Sequence, residues 1–252
     1  MQIAIVGFGK MGRLVSQIAQ DSGHFIKAVI DPVSQDPMVT SRECTERALL
    51  GSEVIIEFAA SEGILERLKL YGKLGIPAVI ATTGWYDRIP DAKSALGKTN
   101  CAIIWSGNFS LGVQLFLKIV RNASMIFNRF PIYDPLIQEC FHAGKADSPS
   151  GTAVMLGNIL LEELEGKNQL ETGRLDRKRA DSEIHVSSSR GGSIPGTHTV
   201  MFDSPVDTIE ITHRARNREG FAYGAVQAAV WVSSGRKGFF SLDDMLTDLI
   251  PR

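Results

Sequence analysis

Through its first half the chain alternates short, nearly continuous apolar runs with segments whose apolar residues recur every three or four positions. Residues 3–6 predict a strand, and Met11, Leu14, Val15 and Ile18 predict one face of a helix behind it. Residues 25–30 and 53–58 predict a second and a third strand. Ser61 is expected to cap a helix running through Ile64, Leu65 and Leu68. Residues 77–81 and 101–105 are two further apolar runs. Runs of this kind, without polar alternation, fit strands covered on both faces by helices, and the βα alternation implies a parallel, doubly wound sheet.

The pattern changes after about residue 112. Val113, Phe116, Ile119, Val120 and Ala123 predict a helix, and Ala153, Leu156, Leu160 and Leu164 predict another. Residues 184–186, 199–202 and 208–212 alternate apolar and polar side chains, as half-exposed antiparallel strands do. Residues 165–182 are polar and are expected to form a mobile loop. Residues 221–232 read as helix again, and Ser241-Leu242-Asp243-Asp244 resembles a capping box opening a last one. The simplest organisation is an α/β domain over 1–112 and 218–252, with an inserted α+β domain over 113–217 built on a mixed or antiparallel sheet.

Composition narrows the functional classes. Among 252 residues, 27 Lys and Arg balance 28 Asp and Glu, which argues against a nucleic-acid binder. No apolar run approaches the roughly 20 residues of a membrane span, and the chain enters its first strand without a cleavable apolar leader. The three cysteines, Cys44, Cys101 and Cys140, have neither zinc-site nor disulfide-framework spacing, so no metal is expected and a reducing cytoplasm is.

Gly7-Phe8-Gly9-Lys10-Met11-Gly12 follows the first predicted strand and opens the first helix. In that setting Gly7 permits the turn, Gly9 lets backbone approach a pyrophosphate, and Gly12 lets helix pack on strand. Asp31 lies 19 residues past Gly12, where an acid meets an adenosine ribose. A Rossmann-type dinucleotide site follows. Asp31 repels a 2′-phosphate, so NADH is expected to be preferred, with some NADPH use because Lys10 and Arg13 lie nearby. Ala81-Thr82-Thr83-Gly84 and Ser106-Gly107-Asn108-Phe109-Ser110 close two more strands where ligands bind in such sheets, although ordinary turn chemistry would use the same residues.

The segment from Glu139 to Thr152 gathers His142, Lys145 and a Ser150-Gly151-Thr152 turn ahead of a helix. Backbone amides at a helix start favour an anion, and Lys145 stands a few residues upstream, so a small carboxylate is a plausible ligand. A solvated Lys145 before a simply capped helix is the alternative. His142, His185, His198 and His213 share the interval 142–213 with Arg190, Arg214, Arg216 and Arg218, which suits a dianion. His185 and Arg214 are expected only to point outward from strands.

These motifs, with Asn108-Phe109-Ser110-Leu111-Gly112-Val113, His142-x-x-Lys145-x-Asp147-x-Pro149-Ser150-Gly151-Thr152-Ala153, Arg190-x-Gly192-x-x-x-Gly196-x-His198 and Phe221-Ala222-x-Gly224-Ala225, occur in order over nearly the whole chain. Together they resemble the 4-hydroxy-tetrahydrodipicolinate (dihydrodipicolinate) reductase family of lysine and diaminopimelate biosynthesis. The resemblance implies a two-domain homotetramer and a cyclic dicarboxylate substrate. Lys145 is implied as proton donor, with His142 as a second catalytic candidate. His142, Lys145, Ser150, Gly151 and Thr152 are implied around the substrate. Gly7, Met11, Gly12, Asp31, Ala81, Thr83, Ser106 and Phe109 are implied at the cofactor, and Gly9, Lys10, Thr82, Asn108 and Arg218 are expected beside them. Three positions depart from the family pattern. Phe141 replaces the first histidine of Glu-x-His-His-x-x-Lys, usually assigned as acid/base; Ala81 replaces a glycine; Glu57 stands where aspartate is common. A reductase of another cyclic imine or amino acid, or a non-catalytic NADH-binding homologue, is the alternative that Phe141 leaves open.

Overall fold

Apolar side chains on both faces of β1 (Gln2–Val6) place that strand inside a six-stranded sheet. A computed structural model describes residues 1–97 and 99–250 in two units. The first is Met1–Leu111 with Glu219–Arg252, and the second is Gly112–Arg218.

In the first unit β2 (Phe25–Ile30), β3 (Val54–Glu57), β4 (Ala78–Ile80), β5 (Ala102–Trp105) and β11 (Gly238–Ser241) join β1 in the order β11-β5-β4-β3-β1-β2. Every pairing is parallel. Ile3, Ile5, Val54, Ile56 and Ile104 face one core, shared with α1 (Lys10–Asp21), α7 (Glu219–Val232) and α8 (Leu242–Leu249). Ala4, Val6, Ile55, Ile80 and Ile103 face the other, shared with α2 (Glu46–Leu49), α3 (Ile64–Leu74) and α4 (Ile89–Leu96). Burial on both faces is the physical reason these strands lack alternation. The strand order reverses direction at β1, between β2 and β3, which makes the carboxyl ends of β1 and β3 the expected ligand crevice.

The second unit holds β6 (Asp134–Phe141), β7 (Gln169–Glu171), β8 (Glu183–Arg190), β9 (Thr197–Asp203) and β10 (Thr208–Arg214), in the order β10-β9-β6-β8-β7. It is a mixed sheet: β8 runs parallel to β6 and β7, while β9 is antiparallel to β6 and β10. Ile137, Ile184, Val186, Val200 and Phe202 pack against α5 (Leu111–Phe127) and α6 (Gly151–Glu163).

Two local expectations are corrected. Ser61 does not cap α3 with its side chain. Gly63, at φ 70°, is the N-cap, and only the Ser61 carbonyl takes part, accepting from the Ile64 amide at 3.2 Å. The polar stretch 165–182 is not an open loop. It contributes β7, and its charges pair among themselves and with the sheet: Arg177 with Glu171 and Glu183, Lys167 and Arg179 with Asp134. The capping box at Ser241 and Asp244 is present as expected. Among the described residues no helix is long and apolar enough to cross a membrane.

Across the second sheet Glu139, His198 and His213 stand in register on β6, β9 and β10. The Glu139 carboxyl is 1% exposed yet held below the usual range. Burial alone would raise it, but donors from Ser150, Arg190 and Ser188 outweigh burial. Burial drives His198 down from 6.5 to about 4, with the Glu139 charge opposing only in part. A depressed folded value means the unfolded chain takes up protons first as pH falls. The contribution of His198 is therefore complete above about pH 6.5 and is lost towards pH 4, by roughly 3 kcal/mol. Glu139 adds a loss of the same sign below about pH 4.5. Urea unfolding at several pH values should show wild-type stability falling between pH 6.5 and 4.5, and a shallower fall in His198→Gln. Identical slopes for the two proteins would contradict this account.

Candidate functional site

At the carboxyl end of β1 the chain turns through Gly7 at φ +91°, and a Cβ there would lie 2.5 Å from the Ala59 amide nitrogen after β3. A Cβ on Gly12 would lie 2.1 Å from the Gly7 carbonyl oxygen. Both positions therefore require glycine for close packing. Gly9 is different: nothing lies within 4 Å of where its Cβ would be, and it serves as N-cap of α1 without a side chain. Among the described residues no group accepts from the amides of Lys10, Met11 and Gly12. Open space over Gly9 and outward amides suit a pyrophosphate, so the residues present fit a dinucleotide.

Asp31 directly follows β2. Its Oδ2 accepts from the Phe8 amide at 2.6 Å, and its Oδ1 accepts from Val33 and Ser34 at 2.8 and 2.7 Å. Burial would raise its pKa, but these three amides and the nearby Arg42 hold it below the ordinary value. Arg13 reaches the same loop, pairing with Asp36 at 2.8 Å and donating to Ser34 Oγ at 3.1 Å. The acid expected at the ribose is thus ionised and oriented, with two arginines around its loop.

The remaining turns of this unit divide. Thr82 is buried, with its hydroxyl 3.0 Å from the Ala59 carbonyl and 3.2 Å from Glu57 Oε1. Its own carbonyl accepts from Trp85 Nε1 at 2.8 Å. The Phe109 ring is likewise buried in the core. Both side chains turn inward, so any part they take at a cofactor is through backbone. Ser106 Oγ bonds the Asn108 carbonyl and amide at 2.9 and 3.1 Å, while Asn108 Oδ1 accepts from Ser110 at 2.8 Å, which fixes the second turn. Ala81 is half-buried and Thr83 exposed. Glu57, fully buried, accepts from Arg67 at 2.8 and 3.0 Å and from Tyr71 at 2.6 Å, and so braces the ends of β3 and β4 from below.

In the second unit Ser150 caps α6, its Oγ accepting from the Ala153 amide at 3.2 Å. Among the described residues the amides of Gly151 and Thr152 have no acceptor. The Ser150 amide donates to Glu139 at 3.0 and 3.2 Å, and Ser188 Oγ and Arg190 Nη2 donate to the same carboxylate at 2.8 and 2.7 Å. Arg190 also reaches the Asp147 carbonyl. Lys145 Nζ pairs with both Asp147 oxygens at 2.7 and 2.9 Å and stands 4.7 Å from the Phe141 ring centre. His198 Nε2 lies 3.1 Å from Ser150 Oγ.

Lys145, Asp147, Arg190, Glu139 and Ser150 thus form one connected network at the start of α6. His142 continues from it, anchored by its own amide to the Ile194 carbonyl at 2.8 Å. Arg218, the last residue of this unit, is exposed; His185 and Arg214 point outward from their strands, and His185 approaches only the Gly173 carbonyl at 3.4 Å. Sequence reasoning overlooked Glu139, Ser188 and the Asp147 pair. The available signal was Glu139 itself, a charge inside an otherwise strand-like run. Among the described residues no three His, Cys, Asp or Glu side chains gather as a metal ion requires.

Comparison with known proteins agrees with this layout. The N-terminal model of dihydrodipicolinate reductase matches residues 1–109, and the C-terminal model of the same family matches residues 112–246. The 4-hydroxy-tetrahydrodipicolinate reductase of Christiangramia forsetii is 34% identical over 249 residues, covering 99% of both chains. That of Archaeoglobus fulgidus is 36% identical over 262 positions, covering 98% of this chain and 100% of its own. A dipicolinate-bound dihydrodipicolinate reductase from Paenisporosarcina sp. TG-14 has the same fold, with a TM-score of 0.76 over 96% of this chain and 97% of its own at 21% identity. From both halves of its length, the chain belongs to the dihydrodipicolinate reductase family of nicotinamide-dependent oxidoreductases.

Proposed function

We propose that this chain catalyses the NAD(P)H-dependent reduction of 4-hydroxy-tetrahydrodipicolinate to tetrahydrodipicolinate in lysine and diaminopimelate biosynthesis. The observation that carries the proposal is the network at the start of α6: the Gly151 and Thr152 amides, which have no acceptor among the described residues, a guanidinium held by buried Glu139, and an ammonium held by exposed Asp147. In the net reaction the ring gains one hydride and one proton, and its 4-hydroxyl leaves as water. A nicotinamide, when bound, supplies the hydride.

The chain's own residues do the rest. Gly7, Gly9, Lys10, Met11 and Gly12 hold the diphosphate at the first helix start, and Asp31 accepts from the adenosine ribose. The turns at Ala81, Thr82 and Thr83 and at Ser106, Asn108 and Phe109 line the nicotinamide end, and Arg218 supplies a further positive charge. The amides of Gly151 and Thr152, with Ser150 and His142, receive the substrate carboxylates.

Lys145 donates the proton. Its pairing with Asp147 supports this role because that carboxylate is 57% exposed. Exposed pairs contribute only about 0–1 kcal/mol, so a dianionic substrate can take Asp147's place on the ammonium. Phe141 cannot transfer a proton, so the position before His142 takes no part in the donation, and His142 is the second candidate for it. A purely NADH-binding protein would have no use for the α6 network.

Dicarboxylate and imine alike are recognised here by charge-assisted donors fixed in advance, which is the strongest means of stabilising charge that develops on the ring. The three free cysteines support a reducing compartment, the cytoplasm. Assembly as a homotetramer follows the family resemblance. It is supported by the second face of the mixed sheet, where half-buried Leu136 and Met201 lie opposite the side that α5 and α6 cover.

Three measurements test these statements. Lys145→Ala should lose about 10²- to 10⁴-fold in kcat while NADH binds with unchanged affinity; wild-type turnover would remove Lys145 from the mechanism. Because Asp31 stays ionised, kcat/KM should be higher with NADH than with NADPH, and a strong NADPH preference would contradict the role given to Asp31. Light scattering should return four times the mass of one chain; a monomer mass would contradict the assembly.

A further inference from the structure

Phe141 is the last residue of β6 and lies directly opposite Arg190 in the register with β8. Two cations approach its ring: Lys145 Nζ at 4.7 Å from the ring centre and Arg190 Cζ at 5.4 Å. His198 meets the ring edge-on, at 5.3 Å and 74°. Gly196 fixes the seat. A Cβ there would lie 2.6 and 2.9 Å from the ring atoms, and its φ of +149° favours glycine as well. The ring is therefore held on several sides.

We propose that Phe141 is a positioning residue whose ring holds the Lys145 ammonium and the Arg190 guanidinium in place for a dicarboxylate ligand. An aromatic face carries partial negative charge and attracts a cation within about 6 Å of its centre. Two like charges at one site repel. The carboxylates that offset them, Asp147 on Lys145 and Glu139 on Arg190, do so through the same N–H donors a substrate needs. The ring offsets the repulsion without occupying a donor in that way. When a substrate carboxylate displaces Asp147, the contact of the ammonium with the ring remains and keeps it aimed.

A histidine in this seat would be neutral or positive and would weaken that attraction. The residue that cannot move a proton thus still has a task, which is to place the group that does. The ligand class in this proposal rests on the functional reading above.

Fluorinated phenylalanines placed site-specifically at position 141 keep the shape of the ring while draining its negative face. Calorimetry with pyridine-2,6-dicarboxylate should show affinity falling with each added fluorine, by about 3- to 30-fold over the series. NADH affinity should stay constant. Equal affinity across the series would overturn the proposal, because a merely space-filling ring is indifferent to fluorine.

A second measurement is independent of the ligand. The Lys145 ε-methylene proton signal, assigned by its loss in Lys145→Ala, should be displaced upfield by the ring in the native protein and return towards the ordinary lysine position in Phe141→Leu. The same position in both proteins would overturn the proposal. If the native protein binds no dicarboxylate, the functional reading fails, and the lysine signal still decides whether the ring holds the ammonium.

Discussion

The second unit depends on one carboxylate that has been taken out of water. Burying a charge costs several kcal/mol unless donors surround it, and Glu139 is surrounded: the Ser150 amide, Ser188 Oγ and Arg190 all donate to it. Those donors come from α6 and β8, so meeting the needs of one charge fixes the start of a helix against two strands. The same contacts place Arg190 against the Asp147 carbonyl, and among the described residues the next two amides of α6 have no acceptor. The anion site proposed here depends on how Glu139 is satisfied.

The first unit uses a comparable device beneath its own ligand crevice. Glu57 ends β3 and is braced by Arg67, Tyr71 and Thr82, which ties the β3 and β4 ends beside Gly7. Above it the glycines act by absence of side chain: Gly7 and Gly12 for contact, Gly9 for open space. Each unit therefore pairs a buried, fully satisfied carboxylate with a helix whose first amides face outward, and the two helix starts supply the anion-binding donors on which the proposed reaction relies.

Legibility in the sequence followed the strength of local signals. The β1–glycine–α1 frame, Asp31, α6 and the Ser241 capping box were readable because one short segment determines each. β6 was not read as a strand, since Pro135 and Glu139 interrupt its alternation, and their explanation lies in β8, β9 and α6, distant in sequence. Alternating polarity revealed β8 to β10 as half-exposed but carried no information about direction, so parallel β8 was expected to be antiparallel. β7 was hidden because its stretch is polar and several of its charges pair with Asp134 and Glu183, which lie outside it. Thr82 looked like a ligand because its turn is at the right place; its inward hydroxyl answers to Glu57, whose burial no local pattern announces. No local pattern around Phe141 shows that two cations rest on its ring.

The most direct test of this account replaces the buried charge by its neutral isostere. In Glu139→Gln the shape of the side chain persists, but the attraction that orients the Ser150 amide and Arg190 is weakened. Calorimetric titration with pyridine-2,6-dicarboxylate should then show binding weakened by about tenfold or more, the equivalent of one charge-assisted hydrogen bond, with NADH affinity unchanged. Dicarboxylate binding equal to that of the native protein would contradict the claim that Glu139 organises the site.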